Sequence, residues 1–134
     1  MNNWTVIKKS RHSGSRYTEY YSKMCVIVVG VGDMVLPRPV YDALGAPTYV
    51  EVLEDVRNKL FALRPATSEY AKSTAFKVGA VNGRDNVYGA MRISPLSFTK
   101  THGLNIKGRG VVYNATINDE GLVVVNMAQK PEVV

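Results

Sequence analysis

One order of predicted elements occurs twice in this 134-residue chain, and that repeat constrains the fold more than any other feature. The β-branched run Cys25–Val29 predicts a buried strand, and Met34–Leu36 predicts a second strand that stops at Pro37. Arg38–Leu44 has apolar residues at helical spacing, followed by Gly45 in a position suited to a helix end. A two-stranded hairpin follows. Strand, strand, helix and hairpin then recur in the second half.

An offset of 58 residues aligns the two occurrences. The aligned pairs are a strand end, a helix-start proline, an apolar helix position and a helix-ending glycine: Val35 with Ile93, Pro37 with Pro95, Val40 with Phe98, and Gly45 with Gly103. The order of all four pairs predicts an internal duplication.

The remaining strands are predicted from β-branched and aromatic runs bounded by turn residues. They are Thr48–Leu53 and Leu60–Leu63 in the first half, and Thr74–Val81, Val87–Ile93, Val111–Ile117 and Leu122–Val125 in the second. Residues 82–86 are predicted to form a turn, and the second helix is predicted to run from Leu96 to His102.

One half of about 45 residues has too little core to be stable alone, so we expect the two halves to complete each other. The prediction is a mainly β fold with two short helices, a small β-barrel built from two pseudo-symmetric ββαββ halves in one chain. We expect a single domain over residues 24–134, with repeat halves 24–66 and 74–127.

The net charge of +6 is unevenly distributed, because residues 1–23 carry five bases and one acid. Residues 8–16 contain no apolar side chain, which predicts a basic, flexible N-terminal arm over residues 1–23. Such an arm suits polyanion binding through phosphate neutralisation, and a solubilising tail is the alternative. Tyr17, Tyr20 and Tyr21 beside it would either stack on bases of single-stranded nucleic acid or pack the arm against the domain.

Part of the first half resembles a known family. Residues 34–46 read MVLPRPVYDALGA, residues 50–52 read VEV, and residues 60–65 read LFALRP. This order resembles the AbrB-type swapped-hairpin (SpoVT/AbrB-like) module, in which an apolar strand ends in Pro, a short helix ends in Leu-Gly, and two strands finish near Leu-x-Pro. The resemblance implies a swapped-hairpin barrel that binds DNA. It places basic residues at the strand and helix starts on the nucleic-acid face.

The candidate nucleic-acid contacts are basic residues of the arm, the resembling segment and the second half. They are Lys8, Lys9, Arg11, Arg16, Arg38, Arg92, Lys100, Lys107 and Arg109. The glycines around Lys107 and Arg109 would let the backbone approach a phosphate closely, and an ordinary solvated loop is the alternative.

Enzyme and metal chemistry find little support in the sequence. Cys25 lies in an apolar run that should raise its thiol pKa and make it inert, and His12 and His102 are not at zinc-ligand spacing from it. The glycines of residues 28–33 lack the third glycine and the long helix of a dinucleotide-binding loop. We therefore predict a non-enzyme with no cofactor and no metal.

Two functions remain open. The first is a DNA-binding protein of AbrB-like type, a transcriptional regulator or an accessory factor of a phage or mobile element, which binds duplex DNA through phosphate contacts and shape. The alternative is a protein-protein interaction module, favoured by the acid-rich segment 51–55.

We expect a cytoplasmic protein with no membrane partner, since no apolar run is long enough to span a membrane and the first residues lack the pattern of a secretory signal. A monomer with internal pseudo-twofold symmetry and a homodimer are both compatible with the repeat.

Overall fold

The computed structural model describes Asn3 and residues 18–81 and 88–134. Every strand pairing among these residues is antiparallel. The strands are β1 (Cys25–Val29), β2 (Asp33–Leu36), β3 (Tyr49–Asp55), β4 (Leu60–Pro65), β5 (Phe76–Lys77), β6 (Gly79–Ala80), β7 (Met91–Ile93), β8 (Val111–Ile117), β9 (Val123–Asn126) and β10 (Glu132–Val133). The helices are α1 (Arg38–Ala43), α2 (Glu69–Lys72) and α3 (Leu96–Thr101), preceded by a 3-10 turn at Thr18–Tyr20.

The strands follow one another around a nearly closed barrel, which confirms the predicted fold class. Their order is β5-β3-β4-β9-β8-β1-β2-β7-β6, with β10 added to β8. The two ends of this path are consecutive in the chain, because only Val78 separates β5 from β6. The backbone N–H of Val78 donates to the carbonyl oxygen of Thr48 at 2.8 Å. Closure of this kind removes the exposed edges that a flat sheet of short strands would have.

The pairings repeat in the two halves. The β1–β2 hairpin corresponds to β6–β7, the β3–β4 hairpin to β8–β9, and the β1–β8 pairing to β5–β3. The remaining pairings, β2 with β7 and β4 with β9, join equivalent strands of the two halves. An approximate twofold axis therefore passes through both, and they lie on opposite sides of the barrel.

The two main helices confirm the offset of 58 residues. Both α1 and α3 begin directly after a proline, Pro37 or Pro95. Gly45 and Gly103 follow them with φ of +82° and +61°, the left-handed conformation that glycine adopts without strain. The predicted helix ends are therefore correct to within one residue.

One of the four aligned pairs is wrong in detail. Val35 packs on the outer side of the barrel, whereas Ile93 belongs to the interior core. Side chains alternate between the two faces of a strand, so Val35 and Ile93 are not equivalent positions. The offset that aligns β2 with β7 is one residue shorter than the offset that aligns α1 with α3. The cause is Ser94, which separates Ile93 from Pro95, whereas Leu36 is followed directly by Pro37.

Two apolar clusters lie on the two faces of the sheet. The barrel interior is filled mainly by Val, Leu and Ile side chains with Met34, Phe61 and Tyr113, and α1 and α3 add Val40 and Phe98. The second cluster covers the outer side of β1, β2 and β8: Tyr20, Tyr21, Cys25, Ile27, Val35, Ala90 and Val112. The described part of the predicted arm, residues 18–23, thus contributes two buried tyrosines to the domain.

Two predicted strands differ from those observed in more than the residues at their ends. The single strand predicted for Thr74–Val81 is two short strands, because the chain changes its partner from β3 to β7 at Val78. The strand predicted for Val87–Ile93 is confined to Met91–Ile93, since Gly89 has φ of +71° and ends the extended backbone. The turn predicted for residues 82–86 lies outside the described residues.

Candidate nucleic-acid interface

The surface where β2 and β7 pair, here called the β2–β7 seam, carries Arg92 at its centre. Met34 pairs with Ile93, Val35 with Arg92, and Leu36 with Met91. Met34 and Ile93 face the interior core, so the neighbouring pair along the strands, Val35 and Arg92, points outward. Because the strands of the two halves are shifted by one residue, Val35 and Arg92 occupy equivalent positions, and the approximate twofold axis passes through this pair.

Arg92 is exposed, and the structure shows no ion pair between it and any described residue. Its stem lies over Gly79, the residue it pairs with on β6, where a Cβ would stand 3.8 Å from Arg92 Nε. Lys77, two residues before Gly79, is also exposed and also lacks an ion pair within the described residues. The outer side of β5, β6 and β7 is therefore positively charged.

Arg38 lies at one end of the seam, at the first position of α1. Its Nε donates to Asp42 Oδ1 at 2.8 Å, and both side chains are about half exposed. Its guanidinium also lies 5.8 Å from the centre of the Tyr41 ring. The Asp42 carboxylate offsets part of the Arg38 charge, whereas Arg92 has no carboxylate partner among the described residues.

Arg38 also lines a cleft of about 380 Å³ between α1, the residues after the 3-10 turn, and the segment before β7. The rings of Tyr21 and Tyr88 form one wall, with their centres 5.7 Å apart and their planes at 50°. Tyr21 is buried, but Tyr88 is 49% exposed. A guanidinium beside an exposed phenol ring can bind an anion and stack on a flat group at the same place.

Lys100, Lys107 and Arg109 are not among the residues that line this cleft. Lys100 is in the last turn of α3, and the other two belong to a loop closed by the bridge between Ile106 and Arg109. Arg109 Nε donates to the carbonyl oxygen of Val134 at 3.1 Å, and Asn105 Nδ2 donates to that of Gly30 at 3.4 Å. The loop is therefore tied to the β1–β2 turn and to residue 134.

The predicted contacts of the arm, Lys8, Lys9, Arg11 and Arg16, lie outside the described residues, as does Tyr17. Tyr20 and Tyr21 are 4% and 3% exposed, so they pack the chain against the barrel and are not free to stack on bases. Tyr20 Oη donates to Glu132 Oε1 at 2.6 Å. This hydrogen bond, followed by burial, raises the pKa of Tyr20 above its ordinary value.

Sequence reasoning missed Lys77 and Tyr88. The available signal for Lys77 was the alternation of apolar and polar residues along a strand, because Phe76 and Val78 on either side of it both pack against the interior core. No such signal existed for Tyr88, whose position depends on the contact between the segment before β7 and Tyr21 in the N-terminal part of the chain.

The opposite side of the barrel, where β4 pairs with β9, has a different character. It carries an apolar depression of about 190 Å³ on the outer face, here called the outer groove. Its apolar lining residues are Leu53, Leu60, Phe61, Ala62, Leu122 and Val124, and Glu54, Asp55 and Asn118 complete the lining. The acids of the predicted acid-rich segment are engaged nearby: Glu51 with Arg64, Glu54 with His102 at 2.8 Å, and Asp55 with Asn58. Hydrogen bonds from Asn58 lower the pKa of Asp55.

Cys25 is buried, and burial raises the pKa of its thiol to about 11, as its apolar surroundings predicted. Within the described ranges, no three His, Cys, Asp or Glu side chains gather in a way that could hold a metal ion. The same ranges contain no helix with the length and apolar character needed to cross a membrane.

Comparison with known proteins gives no relative. No protein-family model, curated protein or solved structure matches the chain.

Proposed function

We propose that this protein binds duplex DNA with little sequence preference, using the β2–β7 seam as its contact face and the basic arm as an additional ligand. The resemblance to the AbrB-type module points to the same activity. The proposed role is that of a transcriptional regulator or an accessory factor of a phage or mobile element.

The observation that carries the proposal is the environment of Arg92. Among the bases of the described ranges, Arg38, Arg64 and Lys72 have carboxylate partners, whereas Arg92 and Lys77 are among the exposed bases that have none there. An unpaired surface base retains its full charge for a phosphate, and forming that contact breaks no existing ion pair. Arg92 also lies on the approximate twofold axis, so similar elements flank it on both sides.

The mechanism would be phosphate positioning. Arg92 would contact the backbone at the seam, Lys77 would contact it beside the seam on β5, and Arg38 would contact it from the edge of the cleft. The Lys107 and Arg109 loop would reach it from the α3 end. Each base that neutralises a phosphate releases condensed counterions, so the affinity depends steeply on salt. Few of these side chains are held rigidly enough to read base edges, which is why we expect weak sequence preference.

The test is a series of binding isotherms with fluorescent duplexes of unrelated sequence, measured by anisotropy between about 50 and about 200 mM salt. We expect similar affinities for all duplexes and a linear fall of log K with log salt. A slope corresponding to about 4 to 8 phosphate contacts would fit the bases named. Absence of binding at the lowest salt concentration would refute the proposal.

The alternative, a protein-interaction module, is favoured by one specific observation, the outer groove. Apolar side chains are grouped there on an outer face, where a strand normally presents polar residues. A chain that fails the DNA test but associates through this groove would fit that second function.

A further inference from the structure

We infer that the cleft lined by Arg38 and Tyr88 binds one unpaired nucleotide of DNA, with its base stacked on the ring of Tyr88. The inference rests on the proposed function, because it assigns a ligand to a cleft at one end of the β2–β7 seam. The ligand is a nucleotide at a strand end or in a bulge, since a base inside an intact duplex is stacked and paired and must be extruded before a side chain can receive it.

Tyr88 has a ring that is supported and still accessible. Its centre lies 5.7 Å from that of Tyr21, with the two planes tilted by 50°. Tyr21 is buried in the apolar cluster on the outer side of the barrel, whereas Tyr88 is half exposed. A ring that is already packed on one neighbour loses little freedom when a base stacks on it. Tyr88 is thus placed to stack on a base, which the buried Tyr20 and Tyr21 are not.

Gly89 brings Arg38 next to this ring. Gly89 directly follows Tyr88, and a Cβ at Gly89 would stand 3.1 Å from Arg38 Cδ and 3.3 Å from Arg38 Nη1. The Arg38 side chain therefore crosses the backbone at a place that a larger residue would obstruct. Asp42 Oδ1 lies 2.8 Å from the Nε of Arg38, and no second carboxylate among the described residues pairs with the guanidinium.

The charge of the cleft favours a nucleotide over a free phosphate. Among the described lining residues, only Arg38 and Asp42 are charged, and their formal charges cancel. A small anion would gain little there, because Asp42 repels what Arg38 attracts. A nucleotide can place its base on Tyr88, where stacking requires no net charge, and offer its phosphate to Arg38. The volume of about 380 Å³ is near the lower limit of ligand pockets, about 300 Å³, and suits one nucleotide.

The cleft is continuous with the proposed contact face. Tyr88 is four residues before Arg92 in the segment that leads into β7, and Tyr21 shares the outer apolar cluster with Val35. Four residues span at most about 14 Å, a distance that about four nucleotides of one strand can cover. A strand whose phosphates lie along the seam can therefore place its unpaired end in the cleft.

The test compares three duplexes of the same sequence. One is blunt, one has a four-nucleotide 3′ overhang that contains 2-aminopurine, and one has an abasic overhang with the same number of phosphates. Anisotropy of a dye at the opposite end measures affinity, and 2-aminopurine fluorescence, which stacking quenches, reports on the base itself. We expect the base-bearing overhang to bind about fivefold or more tightly than the abasic one, with quenching on binding.

Two substitutions of Tyr88 make the test specific to the ring. Tyr88→Leu retains apolar bulk and removes the aromatic face, so it should reduce the affinity for the base-bearing overhang to that for the abasic one and abolish the quenching. Tyr88→Phe is the matched control, because it retains the ring and should retain both effects. Circular dichroism verifies that each variant is folded. A preference for the base-bearing overhang that survives in Tyr88→Leu would refute stacking on Tyr88.

The blunt duplex separates this inference from the proposed function. If the protein binds the blunt duplex but binds both overhangs equally and without quenching, the assignment of the cleft is overturned and the proposed function stands. If it binds only the base-bearing overhang, with quenching, the cleft is supported and the seam is refuted as a contact face for duplex DNA. Absence of binding to all three would overturn both.

Discussion

The hydroxyl oxygen of Thr99 lies 2.9 Å from the carbonyl oxygen of Gly32, and it joins the two halves of the barrel. Thr99 is on α3 and is fully buried, whereas Gly32 belongs to the β1–β2 turn. The corresponding contact in the other direction is between Gly89, before β7, and Arg38 on α1. Each half therefore places a glycine against the helix of the other half, so neither half has a complete structure without its partner.

Gly32→Ala should be strongly destabilising. Gly32 has φ of +127°, and a Cβ there would stand 2.9 Å from Thr99 Cβ, closer than packed atoms allow. We expect backbone strain and overpacking to lower the free energy of unfolding by about 2 to 5 kcal/mol. Gly30→Ala is the control, because Gly30 has φ of +55° with open space around it and should cost about 1 kcal/mol. Urea unfolding measures both, and equal losses would contradict the importance of the contact.

The fold was largely predictable, because its strands and helices are encoded by local pattern. β1 and β8 have the predicted bounds, since Cys25–Val29 and Val111–Ile117 are runs rich in apolar and β-branched residues that end at turn residues. β10 and α2 were not predicted. Whether Glu132–Val133 forms a strand depends on its pairing with β8, which lies about twenty residues away and leaves no periodic signal in two residues.

Arg92→Ala should weaken DNA binding about equally for all sequences. The proposal makes Arg92 a phosphate ligand, and loss of one contact should lower the slope of log K against log salt by about 0.9. Lys77→Ala should have a similar, smaller effect, and Lys130→Ala is its control. Lys130 is an exposed lysine beside β10, which pairs with β8, whereas Lys77 lies two residues before the strand β6 that pairs with β7. If Lys130→Ala reduces affinity as much as Lys77→Ala, the seam is not the contact face.

The arm should add affinity in proportion to its charge. Residues 1–16 contain Lys8, Lys9, Arg11 and Arg16 and no acid. Their removal should reduce the salt slope by up to about 4 and the affinity accordingly. Changing the same four bases to Gln preserves chain length and separates charge from other contributions of the arm. Anisotropy titrations of both variants make the comparison. Unchanged affinity in the Gln variant would assign the arm a role other than phosphate binding.

The candidate site was less predictable than the fold, for a physical reason. Sequence gives the charge of a side chain but rarely its partner. Arg38 is the exception, because its partner Asp42 is four residues along the same helix, a spacing at which ion pairs form. The pairing of Val35 with Arg92 and the apposition of Tyr21 to Tyr88 join residues more than fifty positions apart. Only the closed barrel brings them together.

Tyr20→Phe should remove a pH-dependent part of the stability. The pKa of Tyr20 is raised in the folded protein, chiefly by its hydrogen bond to Glu132. The stabilising contribution is therefore complete below the ordinary tyrosine pKa of about 10, and it is lost as the pH rises through the higher folded value. We expect the wild type to exceed the variant by about 1 to 3 kcal/mol at pH about 8, and by less at pH about 11. A difference independent of pH would show that packing alone makes this contact favourable.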